Sequence, residues 1–394
     1  MNNVQWRKVK LGEVAKTFTG LTYSPNCIDK SGTLVLRSSN IKDGQLCFED
    51  NVFVSMDIPE RAIVQENDIL ICVRNGSRNL IGKCALITKD AVGMAFGAFM
   101  TVLRTNIIDP KLLLYIWQSN NIQRQVANNI GATINQITNA DFNRFEISYP
   151  ESLSAQRRIA AILASADKVI AATQKTIAKY KQIKQGMMED LLKPKEGWKK
   201  VRLGEVVNVF DGTHQTPYYV ETGIPFYSVE NVTGNDFEHT KYITEEEHSF
   251  LTQKHKIEKG DILMTRIGSI GVCKFVNWNV NASFYVSLAL LKIKEGFDAE
   301  YLVQYSQIEA FKKSILHESL TFAYPQKINL GDINNVEIAV PYKNGKPDLA
   351  EQRRIAAILS GIDAKIAAEE KVLQKYEKVK KGLMERLLEG GGKK

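Results

Sequence analysis

The residues best suited to chemistry lie in polar loops, and the chemistry they suit is recognition. Arg74-Asn75-Gly76-Ser77-Arg78-Asn79 follows an apolar run and gathers guanidinium, amide and hydroxyl groups around a glycine. A guanidinium grips phosphate or pairs with guanine, and an asparagine amide pairs with adenine. Arg37-Ser38-Ser39-Asn40, Thr133-Ile134-Asn135-Gln136 and the earlier pair Thr22 and Tyr23 extend this set. The second half of the chain offers Thr213, His214, Gln215 and Thr216 beside Tyr218 and Tyr219, then Asn231. Arg266 and Ser269 stand in a shortened counterpart of the Arg74 loop, and Tyr324, Gln326 and Lys327 in a counterpart of the Thr133 segment. Any one of these side chains has a plainer reading as a solvated loop residue; the clusters carry the recognition reading.

Bond-making constellations are not found. Gly76 to Cys84 looks like a phosphate loop, but it has one residue too many between its glycines, and Cys84 replaces the hydroxyl that would hold magnesium. The histidines, His214, His239, His248, His255 and His317, have no metal-ligand spacing with one another or with cysteine. No Asn/Asp-Pro-Pro-aromatic methyltransferase loop is present. Five scattered cysteines without a Cys-x-x-Cys pair suit reduced thiols in a cytoplasmic protein. The polar N-terminus gives no secretory signal, and no apolar run reaches the ~20 residues of a membrane span.

The chain has 394 residues, which predicts two or three domains, and its net charge of +8 favours a polyanionic partner. What must position the loops is a repeated frame. Gln-Arg-Arg-Ile-Ala-Ala-Ile-Leu occurs at 156–163 and again at 352–359, and the 37-residue stretches starting there share 21 identities. Trp6-x-x-Val9-x-Leu11-Gly12-Glu13-Val14 is echoed by Trp198-x-x-Val201-x-Leu203-Gly204-Glu205-Val206. Between these phrases the halves diverge. Ile69–Val73 and Phe99–Leu103 read as buried strands, matched by Asp261–Thr265 and Ser287–Leu291. Asp109-Pro110 opens a helix running to about Asn128, and Asp298-Ala299 opens its counterpart.

Each Gln-Arg-Arg phrase starts a long helix. Ile159, Leu163, Ala166, Ile170, Ile177 and Tyr180 form one apolar stripe, and Ile355, Leu359, Ile362, Ile366 and Leu373 another. At ~1.5 Å per residue each helix would be ~55 Å long, and two such stripes are buried most simply against each other, antiparallel. The predicted fold is α+β: two globular domains with twisted, mostly antiparallel sheets, joined by two long antiparallel helices in a coiled coil, with an internal pseudo-two-fold repeat. The expected segments are 1–155, a helix at 156–193, 194–351, a helix at 352–390 and a flexible tail at 391–394.

The ordered set of motifs resembles the DNA specificity subunit of type I restriction-modification enzymes. It comprises the two Trp-x-x-Val-x-Leu-Gly-Glu-Val openings, the Gly212-Thr213-x-x-Thr216-Pro217 turn, the Asn40 and Asn231 segments and the two Gln-Arg-Arg helix starts. The first half departs from the turn motif, with Gly20-Leu21-Thr22-Tyr23-Ser24-Pro25 in its place. The resemblance implies a non-catalytic subunit in which each insert is a target recognition domain for half of a split double-stranded DNA site. It also implies helices that set the gap and dock two methyltransferase subunits, with restriction subunits joining the complex. No cofactor is expected in this chain itself; S-adenosylmethionine would belong to the methyltransferase partner, and ATP and Mg to the restriction partner. Gln156, Arg157, Gln352 and Arg353, at the helix starts, are the expected contacts to neighbouring subunits.

Two readers have a physical rationale. A good bidentate base contact discriminates by ~1–3 kcal/mol, so one small domain cannot select a site among ~10⁶–10⁹ genomic competitors. The competing reading is a coiled-coil scaffold whose globular ends bind proteins; weak, salt-insensitive DNA binding would mark it. A third is an enzyme with an unrecognised site, which would modify or cut DNA unaided.

Overall fold

The computed structural model describes residues 4–130, 135–320 and 324–389. The tail expected at 391–394 and the candidate Thr133 lie outside them. Two compact units result: Met1–Gln174 with Lys371–Lys394, and Lys175–Glu370. These bounds differ from the expected segments because each long helix is shared out between the units.

In the first unit β1 (Trp6–Lys10) leads to β2 (Lys16–Thr19), β3 (Ile69–Cys72), β4 (Cys84–Leu86), β5 (Met100–Arg104), α1 (Pro110–Gln118), β6 (Glu146–Pro150) and α2 (Leu153–Leu191). β1 and β6 pair antiparallel, and a four-stranded antiparallel sheet has the order β2-β5-β3-β4. Ile69 and Ile71 face one core while Leu70 and Cys72 face another. A strand buried on both faces reads as a continuous apolar run, which is why β3 was legible. A smaller sheet pairs Ile28–Leu36 with Phe53–Val54 and, in parallel, with Ala95–Phe96.

In the second unit β7 (Trp198–Arg202), β8 (Val207–Asp211), β9 (Ile262–Thr265), β10 (Cys273–Phe275), β11 (Leu288–Ile293), α3 (Ala299–Tyr305), β12 (Glu337–Lys343) and α4 (Leu349–Met384) repeat this order. The sheet order β8-β11-β9-β10 is the same, and Leu263 again faces a different core from Ile262 and Met264.

Two expectations shift locally. The helix opened by Asp109 breaks at Ser119, whose extended backbone ends α1 and caps a second helix, Asn120–Asn129. In the second unit the counterpart likewise divides into α3 and Glu309–Glu318. Phe99 precedes its strand and is 56% exposed, whereas Met100 is buried.

The long helices run antiparallel within each unit. In the second unit Lys181 meets Glu370 at 2.8 Å and Lys184 meets Asp363 at 2.7 Å, so position falls along one helix as it rises along the other. In the first unit Lys380 meets Asp167 at 2.5 Å. The stripes are only partly buried against each other. Ile159 and Leu163 join the core of the first unit with Leu387 and Leu388, and Ile355 and Leu359 join that of the second with Met188 and Leu192.

Gln156 and Gln352 are not subunit contacts. Gln156 is 2% exposed; its Oε1 accepts from Asp109 N at 2.8 Å and its Nε2 donates to Pro150 O at 2.8 Å. Gln352, 1% exposed, accepts from Asp298 N at 3.0 Å and donates to Gly296 O at 3.3 Å. A buried amide must use both ends, and here both fasten the start of a long helix to its own unit.

A second repeated device sits before the central strand. Asp68, its side chain 1% exposed, accepts Arg104 in two contacts of 2.6 and 2.7 Å and also accepts from Gln65 N at 2.8 Å. The hydrogen bond to Asp68 raises the Arg104 pKa above its ordinary value. Asp261 does the same with Lys292 at 2.8 Å and Glu258 N at 2.7 Å, and Lys292 has a second carboxylate in Glu258. Removing one partner of a buried pair strands the other charge. Asp68→Ala is therefore expected to lower the unfolding free energy by about 3 kcal/mol. Asp261→Ala should lower it less, because Glu258 remains; urea denaturation of both variants checks the order.

Candidate nucleic-acid interface

In the first unit three distant segments meet beyond the end of β3. Arg74 pairs with Gln136 through the backbone, and Asn75 N donates to Asn135 O at 3.4 Å. Asn135 Nδ2 donates to Gly76 O at 3.1 Å, and Asn75 Nδ2 to Ser38 Oγ at 3.3 Å. Asn75 Oδ1 accepts from Ser77 N at 2.9 Å, the local turn that asparagine favours. Thr22 and Tyr23 join through their neighbour: Leu21 bridges Gly97, and Phe99 O accepts from Val73 N and Arg74 N at 3.0 and 3.2 Å. A side chain at Gly20 would collide with the Gly97 backbone, so glycine is required at this approach. Arg74, Ser77, Arg78 and Thr22 are exposed, whereas Tyr23, Ser38, Asn75, Asn135 and Gln136 are half-buried. The Arg74 guanidinium lies 5.2 Å from the centre of the exposed Phe99 ring.

Two first-unit arginines are partly engaged. Arg37 Nη2 reaches Asp50 Oδ2 at 3.0 Å, and Arg78 Nη2 donates to Ala127 O at 3.1 Å.

The second unit builds the same junction from different side chains. Thr213 bridges Tyr285, and Val286 N donates to Thr213 O at 3.0 Å. Arg266 N donates to Ser287 O at 2.9 Å, Gly268 N to Gln326 O at 2.8 Å, and Ile267 bridges Lys327. Thr216 Oγ1 lies 3.4 Å from Tyr285 Oη. His214, Gln215, Thr216, Ser269, Tyr218 and Tyr324 are exposed, the last two at 80% and 102%. Gln326 and Lys327 are half-buried. Tyr219 packs edge-on to Phe226 at 5.9 Å under the Lys241 ammonium, and burial raises its phenol pKa.

Three candidates are structural instead. Asn40 is fully buried; Oδ1 accepts from Arg37 N at 2.9 Å while Nδ2 donates to Cys47 O and Asp50 O, each at 3.1 Å. Asn231, 7% exposed, repeats this with Ser228 N and Asp236 O, both at 2.9 Å. Both asparagines tie a turn together and cannot reach a base. Arg266 has a 4% exposed side chain, and its Nη1 meets Asp211 Oδ1 at 2.9 Å. Strand register explains the difference from Arg74. Thr19 and Ile71 both pair with Thr101, and Asp211 and Met264 both pair with Ala289. Arg266 thus stands where the first unit has the buried Val73, and Asp211 where it has Thr19. A one-residue shift along a strand turns a side chain to the other face.

Sequence reasoning missed Phe99 and Tyr285. Phe99 was hidden by its place in an apolar run, and Tyr285 by its place between Phe284 and Val286. Burial pushes the Cys84 thiol up to about 12, away from the thiolate a nucleophile needs. Among the described residues no cluster could hold a metal, and no helix is long and apolar enough to cross a membrane.

Two sheets of one topology, each presenting a polar loop junction, define a tandem recognition protein. The profile of the type I restriction modification DNA specificity domain matches residues 3–182 and again 195–378, and the chain belongs to that family. It is 26% identical over 357 residues to the type I restriction enzyme MjaVIII specificity subunit of Methanocaldococcus jannaschii, covering 83% of this chain and 80% of that protein. The crystal structure of the type I restriction-modification system S subunit from M. genitalium superposes with a TM-score of 0.65 at 17% identity, covering 98% of this chain and 97% of that one. A chain from a structure describing complex assembly and conformational transition of the type I R-M system gives a TM-score of 0.55 at 20% identity, with 98% and 99% covered.

The two arginines should separate binding from folding. Arg74→Ala is expected to weaken DNA binding severalfold and, if it holds one phosphate, to flatten the log–log salt slope by ~0.9. Its melting temperature should not change. Arg266→Ala should lower the melting temperature by removing the buried guanidinium that pairs with Asp211, which calorimetry reads.

Proposed function

We propose that each unit reads one half of a split double-stranded DNA site, and that the chain is the non-catalytic specificity subunit of a type I restriction-modification complex. The observation that carries this reading is the loop junction, built twice on one sheet topology with different side chains: Arg74, Asn75 and Gln136 in one unit, His214, Thr216 and Gln326 in the other. A common scaffold with unlike tips is what two half-site readers need, because base edges are discriminated by the donors and acceptors placed against them.

The long helices set the gap between half-sites. Arg157 and Arg353 extend this proposal to partners. Their side chains are 70% and 68% exposed, and among the described residues their ion pairs are the long ones to Asp109 and Asp298 at 4.0 and 3.6 Å. In this reading they contact two methyltransferase subunits at equivalent helix starts. Restriction subunits join that assembly in the cytoplasm. S-adenosylmethionine then belongs to the methyltransferase, and ATP with Mg to the restriction subunit.

Co-expression with its methyltransferase subunit in a methylation-free host, followed by modification-sensitive long-read sequencing, tests the reading. The expected result is a single split motif carrying methyladenine in both halves. A soluble complex that leaves no motif would overturn it. In binding assays, six phosphate contacts correspond to a log–log salt slope of about −5, and a flat slope would point to a scaffold instead.

A further inference from the structure

His214 is distinguished from the other exposed polar residues of the second junction by what lies behind it. Its Nε2 is 2.7 Å from Asp211 Oδ2, and the other oxygen of Asp211 is 2.9 Å from Arg266 Nη1. The three side chains run from the interior to the surface, being 4%, 25% and 69% exposed in the order Arg266, Asp211, His214. The Arg266 Nε is buried without a partner among the described residues, so Asp211 is the carboxylate on which that guanidinium depends. The first unit has no such chain, since Thr19 and Val73 occupy the two inner positions and Thr22 the outer one.

The arrangement determines which hydrogen-bonding function His214 offers. A carboxylate only accepts, so the imidazole nitrogen facing Asp211 carries the proton. In a neutral imidazole the other nitrogen, Nδ1, is then an acceptor, and it has no partner among the described residues. In the major groove the exocyclic donors are adenine N6 and cytosine N4, whereas guanine O6 and N7, adenine N7 and thymine O4 accept.

We propose that His214 is a specificity-determining residue of the second unit, an acceptor fixed by Asp211 and Arg266 that selects an amino-bearing base, adenine or cytosine, at one position of the half-site. The proposal rests on the second unit reading a half-site. It assigns Asp211 and Arg266 as positioning residues that need not touch DNA.

The substitution Asp211→Asn makes a sharp test. With Arg266 donating to the amide oxygen, the amide nitrogen faces His214 and donates to Nε2. The proton then resides on Nδ1, and His214 becomes a donor. Guanine and thymine, refused by the acceptor form, should then be accepted at that one position and cytosine refused, a change that loss of structure cannot mimic.

The experiment selects from a library of randomised duplexes with the full chain in complex with its methyltransferase subunit, comparing wild type, His214→Ala and Asp211→Asn. His214→Ala, a substitution at an exposed loop residue, is expected to relax one position in one half-site by about five- to tenfold, leaving the other half-site and the gap unchanged. Asp211→Asn is expected to admit guanine or thymine there and to exclude cytosine; its melting temperature and the intact selection of the first half-site show that the variant is folded. Unchanged base preferences in His214→Ala would overturn the proposal while the half-site reading stands. Relaxation in His214→Ala without a gain of guanine or thymine in folded Asp211→Asn would overturn the fixed-tautomer assignment. A wild-type complex that selects no motif would overturn the half-site reading itself.

Discussion

A lysine in each long helix is satisfied by an aspartate in the other. Asp167 and Asp363 occupy equivalent positions in the repeated phrases, as do Lys184 and Lys380, yet neither aspartate pairs with its own helix's lysine. Within one helix the two residues are 17 positions apart and out of reach. Antiparallel pairing brings each aspartate to the opposite lysine, so one pair of residues, encoded once per repeat, specifies the alignment twice. Each aspartate also accepts a bond from its own unit: Asp167 from Tyr115 Oη at 2.6 Å, Asp363 from Gln304 Nε2 at 2.8 Å. The carboxylates therefore link the helices to the globular core of each unit, as Gln156 and Gln352 do at the helix starts.

Much of this was legible because it is repeated. Duplicated phrases, strand order, N-capping aspartates at 109 and 298 and helix starts all follow from local patterns with a fixed period or a fixed spacing. Inversions of role were not legible. Asn40, Asn231, Gln156 and Gln352 have the polarity of surface contacts, but they lie where the backbone leaves donors and acceptors that must be paired inside. Arg266 resembles Arg74 by position after an apolar run, and a one-residue difference in register buries it. Composition reports that a residue can hydrogen-bond; only the fold reports which partner it has already found.

The junction loops illustrate how a family can vary specificity while preserving structure. Their positions are held by backbone bonds, such as Gly268 N to Gln326 O and Asn75 N to Asn135 O, which do not depend on side-chain identity. Side chains at the tips can change without disturbing the sheet. The inner positions differ: Asp211 and Arg266 form a matched pair, so removing the Asp211 carboxylate alone leaves the buried guanidinium uncompensated.

The division of the chain has a consequence for biosynthesis. The second unit is continuous in sequence from Lys175 to Glu370, so all its parts exist once the ribosome has passed the middle of α4. The first unit, although it begins the chain, includes Leu387 and Leu388 in its core. Its early strands must therefore wait, with part of their apolar surface uncovered, until residues 387 and 388 have been made. The first unit is thus completed after the second, and a stop before Leu387 would leave the core of the first unit open.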